Sequence, residues 1–363
     1  MSSRIPVTGI GVIAPGAIGV DAFRALLASG RTAVTDVDRF DTEGLGTHRA
    51  ALVRDFKPKD FIAPMKMRRM NTLSRLGVSA AKLAIEDCGG TLGANTGVAI
   101  GTAFGPVQTS VEYMRDYVEK GAALAPPQLF AESVANAPGS HIAIEWNLRG
   151  FNITITQRES SALAAAMYAA SQIMKGTVAA ALIGGVEEAN EMLFSVLDRV
   201  GALSGEAKPF AADRNGMVLG EGGAVLVAGA GTRKPYGYLS GFGIARDTTA
   251  SVSDWGHDEQ AVVAAMKAAM ADAAVDRVDA VYASANGSKR GDDVEARALA
   301  ALFGDRMPRV VLTKQIFGEY AAGGALQLAA AVLGVEEQFE HVLVNSVSAG
   351  GGIVCAVVSR EAA

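Results

Sequence analysis

The stretch Pro209-Phe-Ala-Ala-Asp-Arg-Asn-Gly-Met-Val-Leu-Gly-Glu-Gly-Gly223 decides how the chain is read. By residue type alone it is a glycine-rich turn that runs into a strand over 218–228, itself interrupted by glycines. Outward from it, short apolar runs alternate with helical periodicities. Toward the N-terminus, 178–183 is a strand entering Gly184-Gly185, and 160–174 is an alanine-rich helix stopped by Gly176. Strands are predicted over 7–13, 96–101 and 151–156, and helices over 21–29, 73–88 and 107–118. Toward the C-terminus, helices are predicted over 260–273, 293–303 and 321–333, and strands over 280–283, 342–345 and 353–359. This alternation predicts an α/β protein with mostly parallel sheets covered on both faces. The segment 9–16 (GIGVIAPG) is echoed at 241–247 (GFGIARD), each before a helix, which hints at a duplicated half with a seam near 230–240.

Composition narrows the function classes. The 363 residues are 50% hydrophobic and 20% charged, enough apolar material for a large core and too few charges for disorder. A net charge of −5 argues against a nucleic-acid partner. Cys88 and Cys355, with no CxxC and no histidine cluster, predict free thiols and no metal site. The start lacks a basic segment followed by an apolar one, and no apolar run reaches about 18 residues. The expectation is a soluble cytoplasmic protein, without a membrane partner.

The stretch 209–223 resembles the ketoacyl-synthase signature, Pro-Phe-Asp-x-x-Arg-Asp-Gly-Phe-Val-x-Gly-Glu-Gly. Other segments agree with it. Gly184-Gly-Val-Glu187 resembles the turn after the nucleophile helix, and Pro127 to Gly139 resembles the segment that crosses the family's dimer interface. Lys314-Gln-Ile-Phe-Gly318 resembles a Lys-x-x-x-Gly-His motif, and 345–351 the closing Asn-Ser-Phe-Gly-Phe-Gly-Gly loop. The resemblance implies a thiolase fold, five-layered αβαβα, built from two similar halves (1–232 and 233–363), and a dimer.

An active member needs a cysteine at a helix N-terminus, where the dipole lowers the thiol pKa, two imidazoles and an oxyanion hole. In Ile155-Thr-Gln-Arg-Glu-Ser-Ser-Ala-Leu163 the cysteine position is Glu159. The first histidine position is Asn286 by motif, or Ser284 by counting back from Gly291-Asp292. The second, five residues after Lys314, is Glu319. Of the catalytic set only Lys314 is retained. Glu159 would carry an acyl group only as a mixed anhydride. His48, His141, His257 and His341 fall outside these positions and read as surface or loop residues; the cysteines read as inert core.

Loss of all three groups on an intact frame is the pattern of a chain-length factor. Such a protein pairs with an active ketosynthase alpha subunit and shapes the tunnel in which a chain grows on acyl carrier protein. Members commonly carry Gln at the cysteine position, so Glu159 departs from the pattern. The short stretch between Leu333 and Asn345 is closest to the compact partners of polyene systems. No cofactor is expected. Val107, Ser110 and Met114 share one helix face, the tunnel gate in chain-length factors, with Met114 as the plug. Lys66, Arg68 and Arg69 form a basic cluster where related ketosynthases meet acyl carrier protein. Lys314 is expected to bridge Glu159 and Glu319, with Arg158 able to swing in; otherwise Glu159 caps its helix and Glu319 faces solvent. Two other functions remain open: a malonyl-carrier-protein decarboxylase, which would need its histidines, and a catalytically dead scaffold or binding protein.

Overall fold

The structure, a computed structural model, describes residues 4–229 and 231–361. Strands β1 (Ile5–Ala14), β2 (Thr96–Gly101), β3 (Asn152–Ile155), β4 (Ala180–Glu187) and β5 (Gly222–Gly229) come from the first half of the chain. The second half supplies β6 (Gly237–Arg246), β7 (Ala280–Tyr282), β8 (Arg309–Val311), β9 (His341–Val347) and β10 (Gly352–Ser359). They run in the order β8-β7-β9-β10-β6-β1-β5-β4-β2-β3, and Ile5 to Val7 pair with Gly237 to Leu239 to join the halves.

Each half repeats one plan. Its first strand lies beside its fifth, then come the fourth, the second and the third. The first two of these pairings are antiparallel and the last two parallel. The sheet is therefore mixed, which corrects the expectation of mostly parallel strands. Antiparallel neighbours need no helical crossover, and β9 turns back into β10 through residues 348–351 alone.

Helices close both faces. α1 (Thr72–Asp87), capped by the Asn71 side chain on the Ser74 N–H, covers the outside of the first-half strands with the helix Ala137–Glu145. α2 (Val107–Lys120) lies at the surface. α3 (Ser161–Met174) and α6 (Ala325–Glu337) lie between the strands of the two halves, in the largest apolar core. α4 (Glu259–Asp272) and α5 (Lys289–Phe303) cover the outside of the second half. The layers are thus α, β, α, β, α, the thiolase fold. α3 fits between strands because its buried face is mostly alanine, Ala162, Ala164 to Ala166, Ala169 and Ala170.

The sequence echo has a packing cause. A Cβ on Gly9 or Gly11 of β1 would lie 2.3 and 2.0 Å from the carbonyls of Ala84 and Ala80 in α1. A Cβ on Gly241 or Gly243 of β6 would lie 2.5 and 2.0 Å from those of Ala269 and Ala265 in α4. In both halves, glycine on alternate positions of the first strand lets the outer helix sit directly on the backbone. The strand anticipated from 218 begins only at Gly222; before it, Met217 and Leu219 make isolated bridges to Leu203 and Glu319.

Candidate active site

The stretch 209–223 positions the site. The Glu319 N–H donates to the Val218 carbonyl and the Gly220 N–H to the Glu319 carbonyl, both at 2.8 Å, which fixes the backbone at Glu319. Arg214 pairs with Asp293 and lies 3.5 Å from the Asp292 carboxylate. Asp292 accepts from the N–H groups of Phe210, Asn286 and Gly287, so the signature clamps the loop that carries Asn286. Glu221 accepts from the N–H groups of Val53 and Ala189 and from Arg39.

Glu159, Asn286, Lys314 and Glu319 converge at the N-terminal end of α3. Glu319 is 2% exposed, contrary to the solvent-facing alternative, and one of its oxygens accepts from Lys314 Nζ at 2.6 Å and from Asn286 Nδ2 at 2.7 Å. Its other oxygen accepts from the Tyr320 N–H at 2.8 Å. Lys314, 4% exposed, also donates to the Ser284 carbonyl at 2.8 Å. Between the two candidate histidine positions, Asn286 is the one whose side chain meets Glu319; the Ser284 hydroxyl instead accepts from the Val347 N–H.

Glu159 sits in the turn Arg158–Ser160 and is 2% exposed. The expected Lys314 bridge does not close on it. Its Oε1 accepts from the Tyr320 hydroxyl at 2.8 Å and its Oε2 from the Ala349 N–H at 3.2 Å, so neither the ammonium nor the helix N–H groups hold it. Among the described residues Lys314 pairs with Glu319 alone, and Arg158 pairs with neither glutamate. Burial, reinforced by the charge of Glu319, pushes the Glu159 carboxyl up to about 7. Below about pH 7, a proton on Glu159 and the ammonium against Glu319 leave the cluster nearly neutral, which is what a dry interior permits.

Tyr320 is the member that motif reading missed. It holds a left-handed φ of 65°, and its ring meets Phe104 edge-on at 4.8 Å between centroids. It fills the space between Glu159 and the Phe104 loop. Nothing in its sequence neighbourhood marks it except its place directly after Glu319. Beside the cluster, a crevice walled by Trp255, Ser284, Asn286 and Ser288 is too narrow for a water molecule. Trp255 is fixed there by donating from Nε1 to the Val347 carbonyl at 2.9 Å.

The remaining candidates lie elsewhere. On α2, Val107 and Ser110 are half-buried, but Met114 is 53% exposed and plugs nothing among the described residues. Lys66 pairs with Glu145 at 2.8 Å, whereas Arg68 and Arg69 are exposed and, among the described residues, make no ion pair. His48 and His257 are exposed; His141 and His341 are half-buried and bond to Glu132 and Ser359, so these two are not loop residues. Cys88 and Cys355 are free and buried, with burial raising both thiols. Among the described residues no group of three His, Cys, Asp or Glu side chains is placed to hold a metal ion. Among the described residues no helix is long and apolar enough to cross a membrane.

Known proteins agree with this frame. The chain is 28% identical over 366 residues to 3-oxoacyl-[acyl-carrier-protein] synthase 2 of Vibrio cholerae, covering 94% of this chain and 88% of that protein. It is 28% identical over 359 residues to the tetracenomycin polyketide synthase ketoacyl synthase beta subunit of Streptomyces glaucescens, covering 93% and 87%. Among solved structures, the ishigamide ketosynthase/chain length factor superposes with a TM-score of 0.92 at 25% identity, covering 99% of this chain and 100% of that one. Residues 2–231 match the beta-ketoacyl synthase N-terminal domain and 236–346 the C-terminal domain. Those spans contain the whole Glu159–Asn286–Lys314–Glu319 cluster and every strand of the layered core except β10 and the last residue of β9, and the chain belongs to the beta-ketoacyl synthase family.

Proposed function

We propose that this chain is the chain-length-factor half of a ketosynthase heterodimer, with halves 1–232 and 233–363, and has no condensing activity of its own. One observation carries the reading. The position that would hold the nucleophile is a buried carboxylate tied to Tyr320 and Ala349, and the positions that would hold imidazoles are an amide and a carboxylate tied to Lys314. A carboxylic acid in this setting is a poor thioester acceptor, and no imidazole is at hand to polarise a malonyl group. The surface supports a partner. Met114, Tyr117, Leu124, Phe130 and Ile144 are large apolar side chains left exposed on α2 and the segments after it, and Phe130 lies within 127–139, the segment that resembles the family's interface segment. The partner is a ketosynthase that keeps its cysteine and both histidines. Acyl carrier protein meets the complex at Arg68 and Arg69, and α2 lines the end of the tunnel once the partner covers it.

Co-expression with such a ketosynthase tests the reading. A one-to-one complex that extends carrier-bound chains is the expected result, with this chain alone inactive toward [14C]malonyl carrier protein. Malonyl turnover by this chain alone would make it a decarboxylase; a stable monomer that ignores every ketosynthase would make it a scaffold.

A further inference from the structure

A cleft of about 430 Å³ opens between the helix Val20–Ser29, the edge strand β8 and α6. Its volume is in the range of small-molecule sites. Leu27, Ile316, Ala330, Leu333 and Phe339 give it an apolar lining. Two hydroxyls face this side of the molecule without a protein partner. The Tyr282 side chain is 5% exposed and its phenol has no hydrogen bond among the described residues. The Thr313 hydroxyl, also of a buried residue lining the cleft, is likewise unpaired. Tyr282 reaches the cleft because residue 334 of α6 is glycine; a Cβ there would lie 2.1 Å from the phenol oxygen. Burial raises the phenol to about 12, so it remains a hydrogen-bond donor at neutral pH.

The charges at the mouth are unequal. Arg24 is neutralised by Glu336 and Glu337. Arg309 has no carboxylate partner among the described residues. It touches only the Gln338 side-chain oxygen, at 3.4 Å, and stands over the Phe339 ring, 6.0 Å from its centroid. Its charge acts on Tyr282. A guanidinium without a carboxylate partner and a phenol without a hydrogen bond thus line one cleft of mixed polar and apolar surface, and a carboxylate is the group to which both donate.

We propose that this cleft binds a small carboxylate with a hydrocarbon tail, its head on Arg309 and the Tyr282 hydroxyl and its tail on Leu27, Ile316, Ala330 and Leu333. The cleft does not include any residue of the Glu159 cluster in its lining, so it does not depend on the chain-length-factor reading.

Isothermal titration of the full chain, alone or in the complex in which it purifies, with decanoate is the test. One saturable site with a Kd below about 1 mM is expected. Decanol and decylamine should bind at least tenfold more weakly. Arg309→Gln, which removes the charge-assisted bond, should weaken decanoate at least about tenfold. Ala28→Trp, at an exposed lining position, should abolish the site, and unchanged thermal midpoints in both variants would show that the fold is kept. Absence of a saturable site, a site untouched by both variants, or equal binding of decanoate, decanol and decylamine would each overturn the proposal.

Discussion

At the scale of single residues, the account rests on where protons and charges sit around Glu159. In the folded chain Glu159 keeps its proton to about pH 7, against 4.5 as its ordinary value. Between these limits the folded chain binds more protons than the unfolded one, so this group's contribution to stability falls as pH rises from 4.5 to 7. Glu187, held up to about 8, and Glu295, held up to about 7, both by burial, act in the same sense. Thermal midpoints should therefore be higher near pH 5.5 than near pH 8. Glu159→Gln should flatten part of that slope, an effect on the order of 1–3 kcal/mol across the window. The Lys314–Glu319 pair gives a second prediction. Lys314→Met leaves a buried carboxylate uncompensated and should cost about 3–5 kcal/mol in urea unfolding, whereas Lys314→Met with Glu319→Gln should recover most of it. Recovery that required Glu159→Gln as well would restore the three-way bridge that the geometry does not show. Motif spacing pointed to Glu159, Lys314 and Glu319 and left Asn286 open against Ser284; the fold brings the side chains of Lys314, Glu319 and Asn286 together. Tyr320 escaped because a contact between residues 161 apart in sequence leaves no local periodicity.

Elements carry the predictions about the partner. α2 is amphipathic, yet this chain covers only part of it: Thr109 is buried while Met114, Tyr117 and Val118 are exposed. In the proposed complex the partner covers that face and makes it a wall of the tunnel. Met114→Ala should then lengthen the products and Val107→Phe shorten them by at least one extension unit, read by mass spectrometry of the released chains. Indifference to both would place the end of the tunnel on another element. The helix Pro64–Met67 and the turn after it present Arg68 and Arg69. Changing both to Glu should weaken acyl-carrier-protein binding at least about tenfold at low ionic strength, with the difference shrinking as salt is added. Lys66 is the poorer target because Glu145 already occupies it. Long helices with clear periodicity were legible to within a few residues. β8 and the helix Glu191–Arg199 were not: three residues are too few for a period, and the helix follows a strand without a glycine or proline break.

For the whole molecule, duplication is the organising fact. The echo of 9–16 at 241–247 reported it because both glycine pairs admit a helix onto the first strand of a half. The repeated strand order and its mixed directions were not legible, since strand direction follows from how the chain returns across the core and not from any one segment. On the proposed reading, the chain keeps a ketosynthase frame and fills its chemical centre with packed structure: an ion pair, a buried carboxyl whose pKa burial raises, and a tyrosine beside it. The central claim is that acyl chemistry belongs to the other half of a heterodimer. Intact-mass spectrometry of the co-purified complex, taken after incubation with acyl-loaded carrier protein, measures this directly. The account predicts one acyl adduct per complex, carried entirely by the partner ketosynthase and lost when the partner's nucleophilic cysteine is replaced by alanine. An acyl adduct on this chain, or one that survives that replacement, would contradict it.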